Sequence, residues 1–177
     1  MRKLAMEELG RTSVESFKLQ EKLPVTLILD SIRSMHNVGS IFRTADGFAV
    51  EKIMLCGITG IPPHREIEKT ALGATQSIKW EYEKDVTTAI EKLKQQSYQV
   101  IAVEQADRST QLHQFIPQVG QHYALILGNE VNGVSDEALA LSVGCIEIPQ
   151  FGTKHSFNVV VSAGIVLWDF YVKLKLR

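Results

Sequence analysis

Glycine and asparagine gather in three stretches of the chain, at 37–47, 127–133 and 148–158. Each also holds a residue able to charge or orient a reacting group. Asn37 and Arg43 fall in the first, Asn129, Glu130 and Asn132 between Gly128 and Gly133 in the second, and Ser156 and Asn158 in the third. A side-chain amide both donates and accepts, so it can align a polar substrate. Arginine is a permanent cation, suited to an anion or to developing oxyanion character. Glycine lets a backbone approach a ligand closely. Taken singly, each residue has an ordinary explanation. An arginine in a helix is normally solvated, Glu130 could be a helix-terminal charge, and Asn158 could be a helix cap.

Other chemistries lack their signatures. There is no GxxxxGK(S/T) loop and no GxGxxG turn opening a strand–helix unit, which disfavours ATP hydrolysis and a standard dinucleotide site. The histidines at 36, 64, 113, 122 and 155 form no HExxH, and no Cys/His cluster has zinc spacing, so no metal is expected. Ser156 adjoins His155, but adjacency is no triad, and GxSxG is absent. Cys56 and Cys145 sit in apolar runs and read as buried free thiols rather than a disulfide framework.

The elements that must position these residues alternate along the chain. Apolar runs at 25–30, 50–57, 98–104, 123–128 and 145–149, with a partly alternating run at 77–83, read as six strands. Between them, 39–47, a short stretch near 64–72, 85–96 and a helix capped by Ser135 read as helical, and Gly47 suits a helix end. Residues 158–174 contain a Val triplet that favours strand, but Ala163, Gly164, Leu167, Trp168 and Tyr171 fit a buried helix better. The expectation is one α/β domain over 24–177, a mostly parallel six-stranded sheet with helices on both faces, preceded by a helical arm at 1–23. In that arm Met6, Leu9, Val14 and Phe17 could share a face. Gly57, Glu104, Gly128 and Pro149 fall at predicted strand ends, the edge where open parallel sheets bind ligands.

The 177 residues carry a net charge of -1 and are 45% apolar, enough for one core. That balance argues against salt-driven, non-specific nucleic-acid binding; an RNA enzyme would need a local basic patch. The charged N-terminus has no signal-peptide core, and no apolar run is long enough to span a bilayer, so the chain reads as soluble, cytoplasmic and without membrane partners.

Together the three stretches resemble the SpoU/TrmH branch of the SPOUT RNA 2'-O-ribose methyltransferases. LDSIRSMHNVGSIFRTADGFAVEKI (29–53) is similar to the N-x-G-x-x-x-R-(S/T)-A motif, LILGNEVNGVS (125–135) to the G-x-E-x-x-G loop, and IPQFGTKHSFNVVVSAGIVLWDF (148–170) to I-P-(M/Q)-x-G-x-x-x-S-L-N-V-x-x-A. The resemblance covers roughly 24–172. It implies a C-terminal deep trefoil knot, otherwise nearly absent from proteins. It also implies a homodimer packed through helices near both chain ends, with 158–172 supplying much of the surface.

By the same resemblance, S-adenosylmethionine would sit in loops 102–105, 127–133 and 146–158. The implied cofactor contacts are Val103, Glu104, Leu127, Gly128, Asn129 and Gly133, with Ile148, Pro149, Phe157 and Asn158 across from them. The implied catalytic group is Arg43 with Asn37, Glu130, Ser156 and Asn158. Phe157 stands where the family often has Leu, and it is expected to contact the adenosine through its backbone or ring. A sulfonium methyl needs alignment with a ribose 2'-oxygen and an exit for the proton, not a metal. Arg43 stays protonated, so it fits a clamp on the neighbouring phosphate better than a general base, with phosphate or water taking the proton. Glu130 would accept from Arg43 or Asn37. The RNA could be tRNA or rRNA, with tRNA favoured for so compact a chain. Recognition would fall to 1–23 and to Lys173, Lys175 and Arg177. The competing reading is a non-catalytic SPOUT-like RNA-binding or scaffold dimer.

Overall fold

The computed structural model describes residues 1–10 and 12–176; Arg11 and Arg177, and the side chains of Met6 and Glu7, lie outside the described residues. A 3₁₀ turn at Met6–Leu9 and helix α1 (Val14–Leu19) precede the sheet. Of the arm's expected apolar face, Phe17 is buried but Leu9 is half exposed. The order then runs β1 (Leu23–Asp30), α2 (Met35–Gly47), β2 (Val50–Cys56), α3 (Arg65–Ala71), α4 (Ala74–Ser77), β3 (Lys79–Glu83) and α5 (Val86–Gln95). It continues through β4 (Gln99–Val103), β5 (Thr110–Gln111), β6 (Tyr123–Leu127), α6 (Asp136–Leu141), β7 (Gly144–Glu147) and α7 (Val159–Lys175).

The sheet has seven strands in the order β3-β2-β1-β6-β4-β7-β5, and every pairing is parallel. Six were expected. The extra one, β5, has two exposed residues, so it carries no apolar run to betray it. Central strands β1 and β6 are apolar on both faces because helices cover both. Leu27 and Leu29 face a core built with Phe17, Phe42, Ile67 and Phe170, from α1, α2, α3 and α7. Ile28 faces the opposite core, with Ala89, Ile90 and Leu93 of α5 and Ala138 of α6. The period of two along a strand makes this division automatic.

Three local expectations need correction. Ser135 does precede α6, but its hydroxyl does not cap it; Oγ donates instead to Asp30 Oδ2 at 2.6 Å. Cys56 is buried, whereas Cys145 is only half-buried, its thiol donating to the Glu104 carbonyl. Lys173 is no RNA contact. It is buried, with Nζ donating at 2.8 Å to the carbonyls of Leu112 and Phe115 and lying 2.6 Å from Asp169. The Val triplet opens α7, as burial of Ala163, Val166, Leu167 and Phe170 outweighs its strand propensity. No helix among the described residues is long and apolar enough to cross a membrane.

Candidate active site

The carboxyl ends of β4, β6 and β7 meet at a cavity of about 540 Å³. Its tightest wall is the loop after β6. Asn129 and Gly133 exchange backbone hydrogen bonds of 2.8 and 2.9 Å, closing a five-residue turn. Gly133 has φ +70°, and a Cβ there would lie 2.2 Å from Glu104 Oε2. A Cβ on Gly128 would come within 2.1 Å of the Gly133 carbonyl carbon. Both positions therefore require glycine on steric grounds.

Four anchors hold this loop. Asp30, buried at the end of β1, accepts from the Ser135 amide at 3.0 Å as well as from its hydroxyl. Glu104, just past β4, accepts from the amides of Val134 at 2.9 Å and Gln105 at 2.8 Å. Asn129 donates to the Ser31 carbonyl at 2.7 Å and accepts from the Val131 and Asn132 amides. Glu130 reaches the start of α2, accepting from the amides of Arg33 at 3.0 Å and Ser34 at 3.1 Å and from Asn37 Nδ2 at 2.9 Å. Burial pushes the Glu130 carboxyl up, but the Arg33, Asn37 and Ser34 donors together outweigh it and hold it below its ordinary value.

Asn37 then passes the connection on. Asn158 Nδ2 donates to Asn37 Oδ1 at 3.4 Å, a long contact, while Asn158 Oδ1 caps α7 by accepting from the Val160 amide at 2.8 Å. The chain Glu130–Asn37–Asn158 thus joins all three glycine- and asparagine-bearing stretches. Ser156 and Phe157 stand on the opposite wall, both exposed.

The cavity is lined by Val103, Glu104, Leu127, Gly128, Asn129 and Gly133 on the sheet side. Ile148, Ser156, Phe157 and Asn158 line it across from them, and Glu130 borders it. Pro149 is not among the lining residues, although its neighbours Ile148 and Gln150 are. Gln105, Glu147 and Gln150 also line it; they fall within the implied loops 102–105 and 146–158 but were not named singly. Ser162 lines it too and lies outside those loops, signalled only by its place near the start of α7.

Arg43 lies outside the cavity. It is exposed on α2 and lines a separate groove with Ser40, Thr44, Lys69, Thr70 and Val160. It forms no hydrogen bond or ion pair with Glu130 among the described residues; Glu130 accepts from Arg33 N, Ser34 N and Asn37 Nδ2. The groove adjoins the cavity at the first turn of α7, where Val160 lines one and Asn158 and Val159 the other.

The residues present suit an elongated, partly cationic ligand. Val103, Leu127, Ile148 and Phe157 offer apolar surface, Glu104, Glu130 and Glu147 offer negative charge, and the volume lies in the usual small-molecule range. No cluster of three or more metal-ligating side chains exists among the described residues. A doubly covered parallel sheet with a glycine-cradled cavity at its carboxyl edge defines the class: an α/β protein built around a small-molecule site.

The sequence matches the SpoU rRNA Methylase family over residues 24–168, and the chain belongs to that family. A Staphylococcus saprophyticus protein named for TrmH family tRNA/rRNA methyltransferases is 30% identical over 156 residues, 88% of this chain and 61% of its own length. The chain spans about three fifths of that relative and of its Staphylococcus haemolyticus counterpart. A tRNA (guanosine(18)-2'-O)-methyltransferase of Thermus thermophilus is 28% identical over 162 residues, 92% of this chain and 81% of that one. Among solved structures, the A. aeolicus TrmH/SpoU tRNA modifying enzyme superposes with TM-score 0.80 at 22% identity, covering 90% of this chain and 80% of that one.

Proposed function

We propose that the chain transfers a methyl group from S-adenosylmethionine to a ribose 2'-hydroxyl in RNA, with tRNA favoured over rRNA. The observation that carries this reading is the Glu130–Asn37–Asn158 chain, which ties the three motif stretches to one cavity rimmed by the glycine-cradled loop. The relatives' names and the implied motif roles support the same chemistry.

The cofactor supplies an activated sulfonium methyl. The chain's own residues do the rest. Glu104 and Glu130 hold the β6 loop against β4 and α2, so the cavity wall is set before ligand arrives. Asn158 lines the cavity beside the groove, where its amide would orient a ribose, and Asn37 holds that amide in place. Arg43, in the groove, grips the adjoining phosphate and favours ionisation of the 2'-hydroxyl by its charge. Phosphate or water takes the proton. Ser156 borders the same wall and offers a hydroxyl to the ribose or to Asn158.

The reading extends to the C-terminal trefoil knot and to a homodimer. Support for the dimer lies on α7, where Val161 and Trp168 are exposed and the Trp168 ring stacks on Tyr171, with both packed near Phe48. Methyl transfer from labelled cofactor to total RNA tests the activity. Wild type should label RNA in a ribonuclease-sensitive form, and R43A should lose activity by about a hundredfold or more while still binding cofactor, as when one preorganised charge is removed. Full activity in R43A would overturn the role of Arg43. Absence of S-adenosylmethionine binding by calorimetry would overturn the whole reading in favour of a scaffold.

A further inference from the structure

Arg43 shares its groove with a second cation. The groove holds about 500 Å³ and is lined by Ser40, Arg43 and Thr44 from α2, Lys69 and Thr70 from α3, and Val160 from α7. Ser40, Arg43 and Thr44 are spaced i, i+3, i+4, so they fall on one face of α2. What brings Lys69 alongside is the closeness of the two helices. A Cβ on Gly39 would lie 2.2 Å from the Ile67 carbonyl oxygen, and Thr70 Oγ1 donates to the His36 carbonyl at 3.0 Å. The end of α3 is thereby buttoned to the start of α2.

The nearby charges leave Lys69 available. The carboxylate on its own helix, Glu66, is engaged at 2.5 Å by His36 Nε2 and lies 4.0 Å from Lys69. No carboxylate lies within ion-pair distance of Arg43 among the described residues. The hydroxyls divide similarly. Thr44 Oγ1 donates to the Ser40 carbonyl and Thr70 Oγ1 to the His36 carbonyl, whereas the Ser40 hydroxyl has no hydrogen-bond partner among the described residues. Two cations and one uncommitted hydroxyl facing a shallow groove make a site for a singly charged tetrahedral oxyanion. Arg43 offers a planar fork and Lys69 a point charge, a pairing that suits a phosphodiester. The groove meets the cavity at the first turn of α7, so an anion within a chain, its neighbouring ribose reaching the cavity, fits better than a free one.

We propose that Lys69 is a positioning residue for RNA, holding with Arg43 and Ser40 the phosphodiester beside the target ribose. This rests on the reading of the cavity as a methyl-transfer site. Lys69 touches the backbone and not the reacting atoms. It sets where the nucleotide lies, and Arg43 acts on the hydroxyl.

The test uses the full chain, unfractionated tRNA, and the variants K69A, K69E and K69R. Lys69 is exposed, so folding is checked simply by circular dichroism. In K69A the slope of log affinity against log salt should fall by about 1, as expected for one lost phosphate contact. KM for tRNA should rise about tenfold while kcat at saturation changes less than about threefold, the pattern of lost binding shared by ground and transition states. K69E should be worse, K69R should recover most of the loss, and cofactor affinity should not move. A K69A protein with unchanged salt slope and KM overturns the proposal. So does competition by millimolar inorganic phosphate, which would mark a free-anion site. The two readings fail separately. Wild type that binds tRNA with a Lys69-dependent slope but transfers no methyl refutes the activity and leaves the clamp standing. A K69A protein that methylates tRNA well below the wild-type KM as fast as wild type does refutes the clamp alone.

Discussion

Asn37 serves two neighbours because an amide carries a donor and an acceptor on opposite atoms. Its Nδ2 goes to Glu130 and its Oδ1 receives Asn158. No aspartate or leucine could do both. Glu130 in turn does the work of a helix-start anion, sitting where the unpaired amides before α2 and the helix dipole both favour negative charge. Its carboxyl is held below its ordinary value of 4.5. A lowered folded value means stability that is present above the unfolded value and lost as pH falls through the folded one. E130Q should therefore cost about 1 kcal/mol near neutral pH, after discounting for solvent screening. The gap from wild type should close as pH drops below the carboxylate range, measured by urea unfolding from pH 7 downward. A gap that is constant with pH would show that the charge of Glu130 is irrelevant. At this scale Asn37, Glu130 and Asn158 were legible from their motifs. The anchors Asp30 and Asn129 were not read as such, because an acid ending a strand and an asparagine in a loop have many ordinary uses. Their partners lie 105 and 98 residues away along the chain.

Helices α2 and α3 pack as closely as a backbone allows, and Gly39 is the reason. G39A should destabilise the chain by about 1–3 kcal/mol, since a methyl must push into the Ile67 carbonyl and overpacking of that kind forces backbone shifts. The same variant should weaken tRNA binding by moving Lys69 away from Arg43. Thermal unfolding and the salt slope read these two effects independently, and a G39A protein as stable as wild type would contradict the packing. The major strands were visible as apolar runs because both sheet faces are covered, and α7 was recoverable from the spacing of its bulky residues. Two elements were not visible. β5 is two exposed residues long, and α4, at Ala74–Ser77, is a single turn following Gly73. Neither buries enough side chain in a periodic way to mark itself, and both exist because their neighbours hold them. The placement of Arg43 outside the cavity was equally hidden, since a motif gives the residue but not the face of the helix on which it sits.

Across the whole molecule, an apolar and aromatic surface runs along α7. Trp168 is 55% exposed and Val161 48%, unusually open for such residues near a buried helix core. If this face joins two copies, W168E should raise the dimer dissociation constant by about thirtyfold or more, the scale of a central aromatic anchor. Sedimentation equilibrium reads it, and an unchanged association state would remove α7 from the interface. The charge balance also resolves at this scale. On the proposed reading, a chain of net charge -1 need not be basic everywhere to meet RNA, because Arg43 and Lys69 concentrate cation at one groove.

The two walls of the cavity are held very unequally. The loop after β6 is fastened from β1, β4 and α2, whereas residues 150–157 are tied among the described residues by a single hydrogen bond, from Gln105 Nε2 to the His155 carbonyl at 2.8 Å. Amide hydrogen exchange should therefore be slow at 129–135 with or without ligand, and fast at 150–157 until ligand arrives. Ordering that second wall costs about 1–2 kcal/mol per residue fixed, drawn from the gross binding energy. On the proposed reading, affinity for the cofactor is governed as much by how stiff 150–157 is beforehand as by any contact it makes afterward. A proline introduced there, at a position whose backbone already suits it, would slow cofactor departure without touching the ligand.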